Sequence, residues 1–155
     1  SGQRTSAISR TFVSTDRGLT WTRTAEFADQ FWSNLFVQRG ALYLMGTTYE
    51  YGRIVIRRSV DNGQSWSEPS YLTQDTGYHT APVPIVEKDG RLWRAMEFHP
   101  EGKWGFFQAI VMSAPAGADL LAASNWTMTP RLEFPTAEAA PGKHWLEGNV
   151  VIAPK

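Results

Sequence analysis

An eight-residue pattern, S-x-D-x-G-x-x-W, occurs twice in the sequence, at residues 14–21 and again at residues 59–66. Each copy lies between two strand-like runs, which predicts a β-hairpin turn. In such a turn the Asp accepts backbone N–H hydrogen bonds, the Gly adopts an unusual φ, and the Trp folds back as an apolar plug. The fixed positions are Ser14, Asp16, Gly18 and Trp21 in the first copy and Ser59, Asp61, Gly63 and Trp66 in the second. The repeat predicts a fold assembled from similar β units.

Composition supports short strands over helices. The chain has 7 Trp, 5 Tyr and 8 Phe together with 13 Gly and 9 Pro, so aromatic residues and turn formers are both frequent. The predicted strands are residues 11–13, 20–24, 31–37, 41–48, 53–59, 65–72, 80–86, 91–98, 104–113 and 149–153. A short helical turn is predicted at residues 116–123. The predicted fold class is therefore all-β.

The spacing of these strands is that of β-propeller blades, with four antiparallel strands for every 45 to 60 residues or so. Residues 1–28 are predicted to end one blade, residues 29–74 and 75–135 to form two complete blades, and residues 136–155 to start another. A propeller closes with about four to eight blades, and this chain holds fewer than three. We therefore expect the ring to be completed by the remaining blades of a longer protein, a companion chain or a homo-oligomer. The first two are favoured over self-assembly.

Charge and cysteine content exclude several classes of function. Fifteen basic side chains balance 15 acidic ones, which gives no electrostatic reason to expect nucleic acid or a membrane as the partner. No apolar run approaches the length of about 20 residues that spans a bilayer. The chain has no cysteine, and its 3 histidines show no metal-binding spacing, so neither a metal nor another cofactor is expected.

The two S-x-D-x-G-x-x-W turns resemble the Asp boxes, or bacterial neuraminidase repeats, of the sialidase-like β-propeller superfamily. The resemblance spans most of the chain, because the strand spacing agrees as well. It implies that Asp16 and Asp61 lie on outer turns and serve the architecture. The superfamily holds sialidases, other glycoside hydrolases, polysaccharide lyases and non-catalytic binding propellers. The Arg-Ile-Pro tripeptide of sialidases does not occur here, so the arginine triad is not carried over.

In a propeller the entrances of the innermost strands face the ligand channel, and this arrangement yields the candidate site. Aligning the predicted inner strands places Gln30, His79 and Leu146 at one level. His79 and Glu147 are the candidate catalytic acid and base, since an imidazole titrates near neutral pH and a carboxylate beside Trp145 suits a general acid. The candidate substrate-binding residues are Tyr78, Trp32, Gln30, Trp145, Glu97 and Asn149. Trp104 is assigned to packing between blades and Arg94 to an ion pair.

The favoured function is cleavage of an extracellular glycan by a glycoside hydrolase of the sialidase-like kind. One alternative is a polysaccharide lyase that uses His79 or Tyr78 to take a proton from a uronate. Another is a glycan-binding or scaffold propeller without catalysis. The resemblance also implies a secreted or periplasmic protein.

Overall fold

The computed structural model describes residues 8–135 and 145–153, so the predicted units at 1–28 and 136–155 lie partly outside the described residues. The described chain is all-β, as the sequence predicts, and every strand pair is antiparallel. Its only helical element is one 3₁₀ turn at Ala123–Asn125. The fold is organised as three sheets that follow one another along the chain.

The first two sheets are simple meanders. A two-stranded sheet pairs β1 (Ile8–Val13) with β2 (Thr22–Ala28). A four-stranded sheet follows in the order β3 (Phe31–Gln38), β4 (Ala41–Thr47), β5 (Ile54–Ser59) and β6 (Ser70–Tyr71). Consecutive strands are neighbours throughout, which is the connection expected of short antiparallel hairpins.

The third sheet has the same up-and-down order but an interrupted edge. Its strands are β7 (Tyr78–His79), β8 (Val86–Lys88), β9 (Arg91–Phe98), β10 (Gln108–Pro115) and β11 (Thr127–Met128). Both β7 and β8 pair with β9, and β10 and β11 follow on its other side. Counting β7 and β8 as one broken strand, this sheet also has four strands.

The break between β7 and β8 corrects the predicted strand at residues 80–86. Pro82 and Pro84 lie in this stretch, and proline has no N–H to donate to a strand partner. The buried side chain of Arg94, in the middle of β9, reaches into the gap. Its Nη2 donates to Thr80 Oγ1 at 3.3 Å and to the Ala81 carbonyl at 3.5 Å. Burial lowers the pKa of Arg94 to about 10, and the predicted ion pair of Arg94 is not found among the described residues.

Four further predicted elements differ from the structure. The stretch 65–72 is a strand only at its end, since Pro69 cannot donate immediately before β6. The stretch 104–113 becomes a strand only at Gln108, after left-handed backbone at Gly105 and Phe106. Residues 149–153 form no strand. The helical turn predicted at 116–123 is likewise displaced to the 3₁₀ turn described above.

The main apolar core lies between the second and third sheets. Alternate residues of each strand point into it, as the period of two along a strand requires. Its fully buried members from the two sheets include Met45, Ile54, Ile56, Met96 and Met112. The first sheet joins the second through Phe27, whose ring meets Trp66 edge-on at 5.6 Å. The second sheet thus packs against the first through Phe27 and Trp66 and against the third through the main core. The three sheets do not close into a ring within the described residues.

The first S-x-D-x-G-x-x-W turn is held by its own side chains. Ser14 Oγ donates to Asp16 Oδ1 at 2.7 Å and accepts the Gly18 N–H at 2.7 Å. Asp16 also accepts the backbone N–H of Thr20 at 2.9 Å and its hydroxyl at 2.6 Å. Trp21 Nε1 donates to the Gly18 carbonyl at 3.1 Å, which folds the indole back over the turn. These hydrogen bonds lower the pKa of Asp16 to about 2.

The second turn repeats this network. Ser59 Oγ donates to Asp61 Oδ1 at 2.8 Å and accepts the Gly63 N–H at 2.8 Å, and Ser65 takes the role of Thr20. The pKa of Asp61 is again lowered to about 2, chiefly by the hydroxyl of Ser65. The sequence pattern missed this hydroxyl position, although both copies carry Thr or Ser there. The two turns differ in surroundings, because Ser59 is buried.

Candidate functional site

A buried imidazole–carboxylate pair forms the centre of the candidate site. His79 in β7 lies directly opposite Glu97 in β9, and His79 Nδ1 is 3.0 Å from Glu97 Oε2. The two side chains are only 6% and 2% exposed. Because a carboxylate accepts hydrogen bonds, this contact assigns the imidazole proton to Nδ1. In the neutral imidazole, Nε2 then carries the lone pair, and this nitrogen can accept a proton.

The chain segment 145–153 holds the second oxygen of the carboxylate. The Gly148 N–H donates to Glu97 Oε1 at 2.8 Å. A side-chain carbon at Gly148 would lie 3.7 Å from the Cβ of Ala95, so this segment runs closely along β9. Glu97 is therefore fixed at both oxygens, which fixes the orientation of His79 in turn. A carboxylate that orients a histidine is a recurrent part of proton-transfer sites.

Four aromatic rings surround the imidazole of His79. Phe107 and Tyr51 stack on it with centroid distances of 5.1 and 5.9 Å. Trp104 meets it edge-on at 6.1 Å, and Trp32 is tilted at 6.4 Å. Trp32 and Trp104 are 44% and 59% exposed, so both indoles remain open to solvent beside the buried pair. A few polar groups among aromatic rings are the usual lining of a small-molecule site.

Unusual backbone places two of these rings. Trp32 has a φ of 42° and lies where the β3–β4 register shifts between Phe31 and Asn34. Such a bulge changes the direction of a side chain. Gly46 on β4 leaves room for it, since a side chain there would collide with Ser33. Tyr51 has a φ of 64° in the turn between β4 and β5. Left-handed backbone at residues other than glycine tends to accumulate at functional sites.

The structure brings together three of the predicted residues: His79, Glu97 and Trp32. Glu97 holds the histidine, a role that differs from the substrate contact predicted for it. Gln30 is fully buried, and its Nε2 donates to Ser33 Oγ at 2.7 Å. It therefore supports the bulge that carries Trp32 and is not open to a ligand.

Tyr78 does not share this site. It is next to His79 in β7, and neighbouring residues in a strand point to opposite faces. Its ring is buried in the core against Phe98, at a centroid distance of 5.1 Å, and its hydroxyl donates to Asp75 Oδ1 at 3.1 Å. Desolvation raises the pKa of Tyr78. The predicted use of Tyr78 as a substrate-binding residue or base is thus inconsistent with its position.

The predicted residues after position 144 lie at the margin of the site. Glu147 is exposed, and its left-handed backbone, with a φ of 55°, immediately precedes the N–H that binds Glu97. Asn149 is exposed and accepts the Val150 N–H on its own Oδ1 at 2.8 Å. Trp145 packs edge-on against Phe134 at 5.1 Å and pairs through its backbone with Phe107. Trp145 therefore contacts Phe107, one of the rings around His79, through its backbone.

The sequence interpretation overlooked Tyr51 and Phe107 and assigned Trp104 to packing. A signal was present in the aromatic run Trp104-Gly105-Phe106-Phe107, because a glycine inside a strand-like run often marks a bulge or a break in the strand. Its proximity to His79 depends on how the loop between β9 and β10 folds back, and no local pattern encodes that.

The described residues contain no cluster of three or more metal-ligating side chains and no helix that could cross a membrane. No protein-family model matches the chain, and no curated protein sequence is similar to it.

Proposed function

We propose that the chain is part of a carbohydrate-active β-propeller of the sialidase-like kind. Two features support this proposal. The second and third sheets are consecutive up-and-down units of four strands, the form of propeller blades. The two side-chain-locked turns also have the pattern by which the sequence resembles Asp-box proteins. In this proposal the turns are architectural and Asp16 and Asp61 take no part in chemistry.

The ring requires further sheets from the rest of a longer protein, a companion chain or other copies of this chain. One of them would pack on the β1–β2 sheet, because Ile8 and Phe12 in β1 and Trp21 in the adjoining turn are exposed. Light scattering over a dilution series tests this proposal. A defined assembly or complex is expected, and a dilution-stable monomer would contradict it. Secretion or a periplasmic location belongs to the same proposal.

We further propose that the site around His79 binds a glycan and cleaves it by hydrolysis. The observation that carries this proposal is the fixed imidazole of His79 beside the exposed rings of Trp32 and Trp104. A sugar stacks its apolar face on an indole, while a positioned imidazole exchanges a proton with the glycosidic oxygen or with the attacking water. Glu147, exposed at the margin of the site, is the candidate for a second acid–base group.

Charge favours a neutral sugar over an acidic one. The charged partner of His79 is the carboxylate of Glu97, and no Lys or Arg contacts His79 among the described residues. The buried guanidinium of Arg94 has a coulombic interaction with Glu97, but it does not contact His79. A uronate or sialate carboxylate beside the imidazole would therefore lie near a like charge and have no Lys or Arg in contact with it among the described residues. Hydrolysis of a neutral glycan is therefore favoured over elimination from a uronate.

The test measures binding and product together. Neutral and uronate-bearing polysaccharides are incubated with the wild type, His79→Gln, Glu147→Gln and the control Tyr78→Phe. We expect new reducing ends without ultraviolet-absorbing unsaturated ends, a loss of about 100-fold or more in His79→Gln, and normal cleavage in Tyr78→Phe. Unsaturated products would establish the lyase instead. Binding without turnover in the wild type would establish a non-catalytic glycan-binding propeller.

A further inference from the structure

The side chain of Arg94 takes no part in the proposed chemistry, although it lies beside the candidate site. It is fully buried in the middle of β9, where a charged side chain is costly without a balancing charge. Among the described residues no carboxylate forms an ion pair with it, and its Nη1 is buried without a hydrogen-bond partner. Such departures from ordinary packing are expected at functional sites.

The guanidinium of Arg94 is anchored to the two residues that follow His79. Its Nη2 donates to Thr80 Oγ1 at 3.3 Å and to the Ala81 carbonyl at 3.5 Å. Thr80 Oγ1 donates to the same carbonyl at 2.8 Å, so these groups form one hydrogen-bonded cluster. Because β7 ends at His79, this cluster fixes the end of the short strand that carries the imidazole.

The negative charge that attracts the guanidinium is that of Glu97, three residues further along β9. Burial lowers the pKa of Arg94, and the charge of Glu97 acts in the opposite direction. The two carboxylate oxygens contact His79 Nδ1 and the Gly148 N–H, and neither partner carries a charge when the imidazole is neutral. Arg94 therefore supplies the positive charge that balances the buried carboxylate.

This balance bears on the protonation of His79. With Arg94 present, the guanidinium, the carboxylate of Glu97 and a neutral imidazole have no net charge. A further proton on the ring would then leave a net positive charge in a buried place, which is unfavourable. Without Arg94, the same proton would neutralise a buried negative charge. Arg94 thus favours the neutral imidazole.

The other titratable groups around the pair do not replace Arg94. Tyr51, whose ring stacks on His79, has its pKa raised to about 12 by burial and by the neighbouring Glu50. Glu147, next to the Gly148 N–H, is acidic and exposed. His99, across the ring of Phe107, accepts the Glu101 N–H on Nδ1 at 3.1 Å, which requires a neutral ring. None of these groups supplies a positive charge.

We propose that Arg94 is a positioning residue of the candidate site. Its buried charge balances Glu97 and thereby keeps the imidazole of His79 neutral, with the proton on Nδ1 and the lone pair on Nε2. Its hydrogen bonds hold the end of β7 beside β9. The electrostatic role does not depend on the ligand, whereas its consequence for cleavage rests on the proposed function at His79.

A double-mutant cycle in urea denaturation tests the coupling in the full chain. Arg94→Met and Glu97→Gln each leave one buried charge without its partner, so each should lower the midpoint. Arg94→Met/Glu97→Gln removes both charges, and its midpoint should lie above that of Arg94→Met alone. Arg91→Met is the matched control in the same strand, since Arg91 contacts Ser113 and Thr127, and its loss should add to that of Glu97→Gln.

The cycle has a clear contrary result. Losses that add in the Arg94 cycle, as they do in the Arg91 cycle, would overturn the proposal. Should Arg94→Met fail to fold, a folded double variant is the expected result, and failure of both variants to fold would overturn the proposal.

Nitrogen-15 NMR of the histidine ring gives a readout that lost packing alone would not change. At one pH, Arg94→Met should show a larger share of doubly protonated His79 than the wild type, and Arg94→Lys, which keeps the charge, should stay closer to the wild type. An unchanged His79 spectrum in a folded Arg94→Met would overturn the charge role.

The glycan assay separates this inference from the proposed function. Arg94→Met should move the acidic limb of the cleavage rate to higher pH, whereas a purely structural loss lowers the rate equally at every pH. A rate lowered equally at every pH would overturn the charge role. No cleavage or binding of any glycan by the wild type would overturn the proposed function, and the denaturation cycle would still decide the role of Arg94.

Discussion

The hydroxyl of Ser59 offers a direct test of how the repeated turns stabilise the fold. It is buried and accepts the N–H of Gly63 at 2.8 Å, also in a buried position. The equivalent hydroxyl of Ser14 makes the same bond to Gly18 at 2.7 Å, but that bond is exposed. The two turns therefore form a matched pair with equal chemistry and unequal access to water.

The expected magnitudes follow from this difference. Ser59→Ala leaves the Gly63 N–H without an acceptor in a place that water does not reach, and it removes a donor to Asp61. Such a buried loss costs roughly 2 to 3 kcal/mol in free energy of unfolding. Ser14→Ala leaves an N–H that water satisfies, and the cost is about 1 kcal/mol or less.

Urea denaturation followed by tryptophan fluorescence measures both variants. With a denaturant slope of about 2 kcal/mol per molar, Ser59→Ala should lower the midpoint by roughly 1 M and Ser14→Ala by at most about 0.5 M. Ser124→Ala, which changes an exposed hydroxyl in the 3₁₀ turn, should leave the midpoint unchanged. Equal losses in the two turn variants would refute the reasoning, because burial would then have no part in the effect.

Three other perturbations have defined outcomes. Hydrogen bonds lower the pKa of Asp16 and Asp61 to about 2, below the value in the unfolded chain, so the ionised carboxylates stabilise the fold fully above about pH 4. This stabilisation is lost as the pH falls towards 2, and the urea midpoint should fall with it. Asp61→Asn should make the fall less steep. In urea denaturation, Gly77→Ala should destabilise the fold by more than about 2 kcal/mol, because Gly77 has a φ of +112° and the new carbon would lie 2.5 Å from the backbone oxygen of His99. Gly40→Ala, with a φ of +77° and open space around the new carbon, should cost about 1 to 2 kcal/mol in the same assay. Tyr78→Phe should lose about 1 kcal/mol with its bond to Asp75 and keep wild-type glycan binding, and a loss of binding would show that Tyr78 faces the ligand after all.

The turns and the main strands were predictable because their determinants are local. Asp61 forms hydrogen bonds with residues two and four positions away, so the residues that make the contacts are contained in the sequence pattern itself. β9 occupies the predicted residues, 91–98; its burial alternates over the first four positions and is complete over the rest, as expected of a strand covered on both faces. The edge of the same sheet was predicted wrongly because strand-like composition at residues 80–86 was given more weight than two prolines.

The site was predictable only in part. His79 was found by its position at a strand entrance, but its partnership with Glu97 depends on the register of β7 against β9 across a long connection. The inclusion of Tyr78 beside His79 ignored the alternation of strand faces. Tyr51 and Phe107 reach the site from turns whose left-handed or irregular backbone no periodicity reveals.

The interrupted edge of the third sheet also bears on how the protein avoids self-association. Free strand edges offer unpaired backbone groups to other molecules and are a common starting point for aggregation. Here Pro82 and Pro84 remove two donors from the edge, and the Ala81 carbonyl already accepts from the Val83 N–H and from Arg94. A chain so rich in aromatic strands thus carries, beside its candidate site, a stretch of edge on which a foreign strand cannot dock.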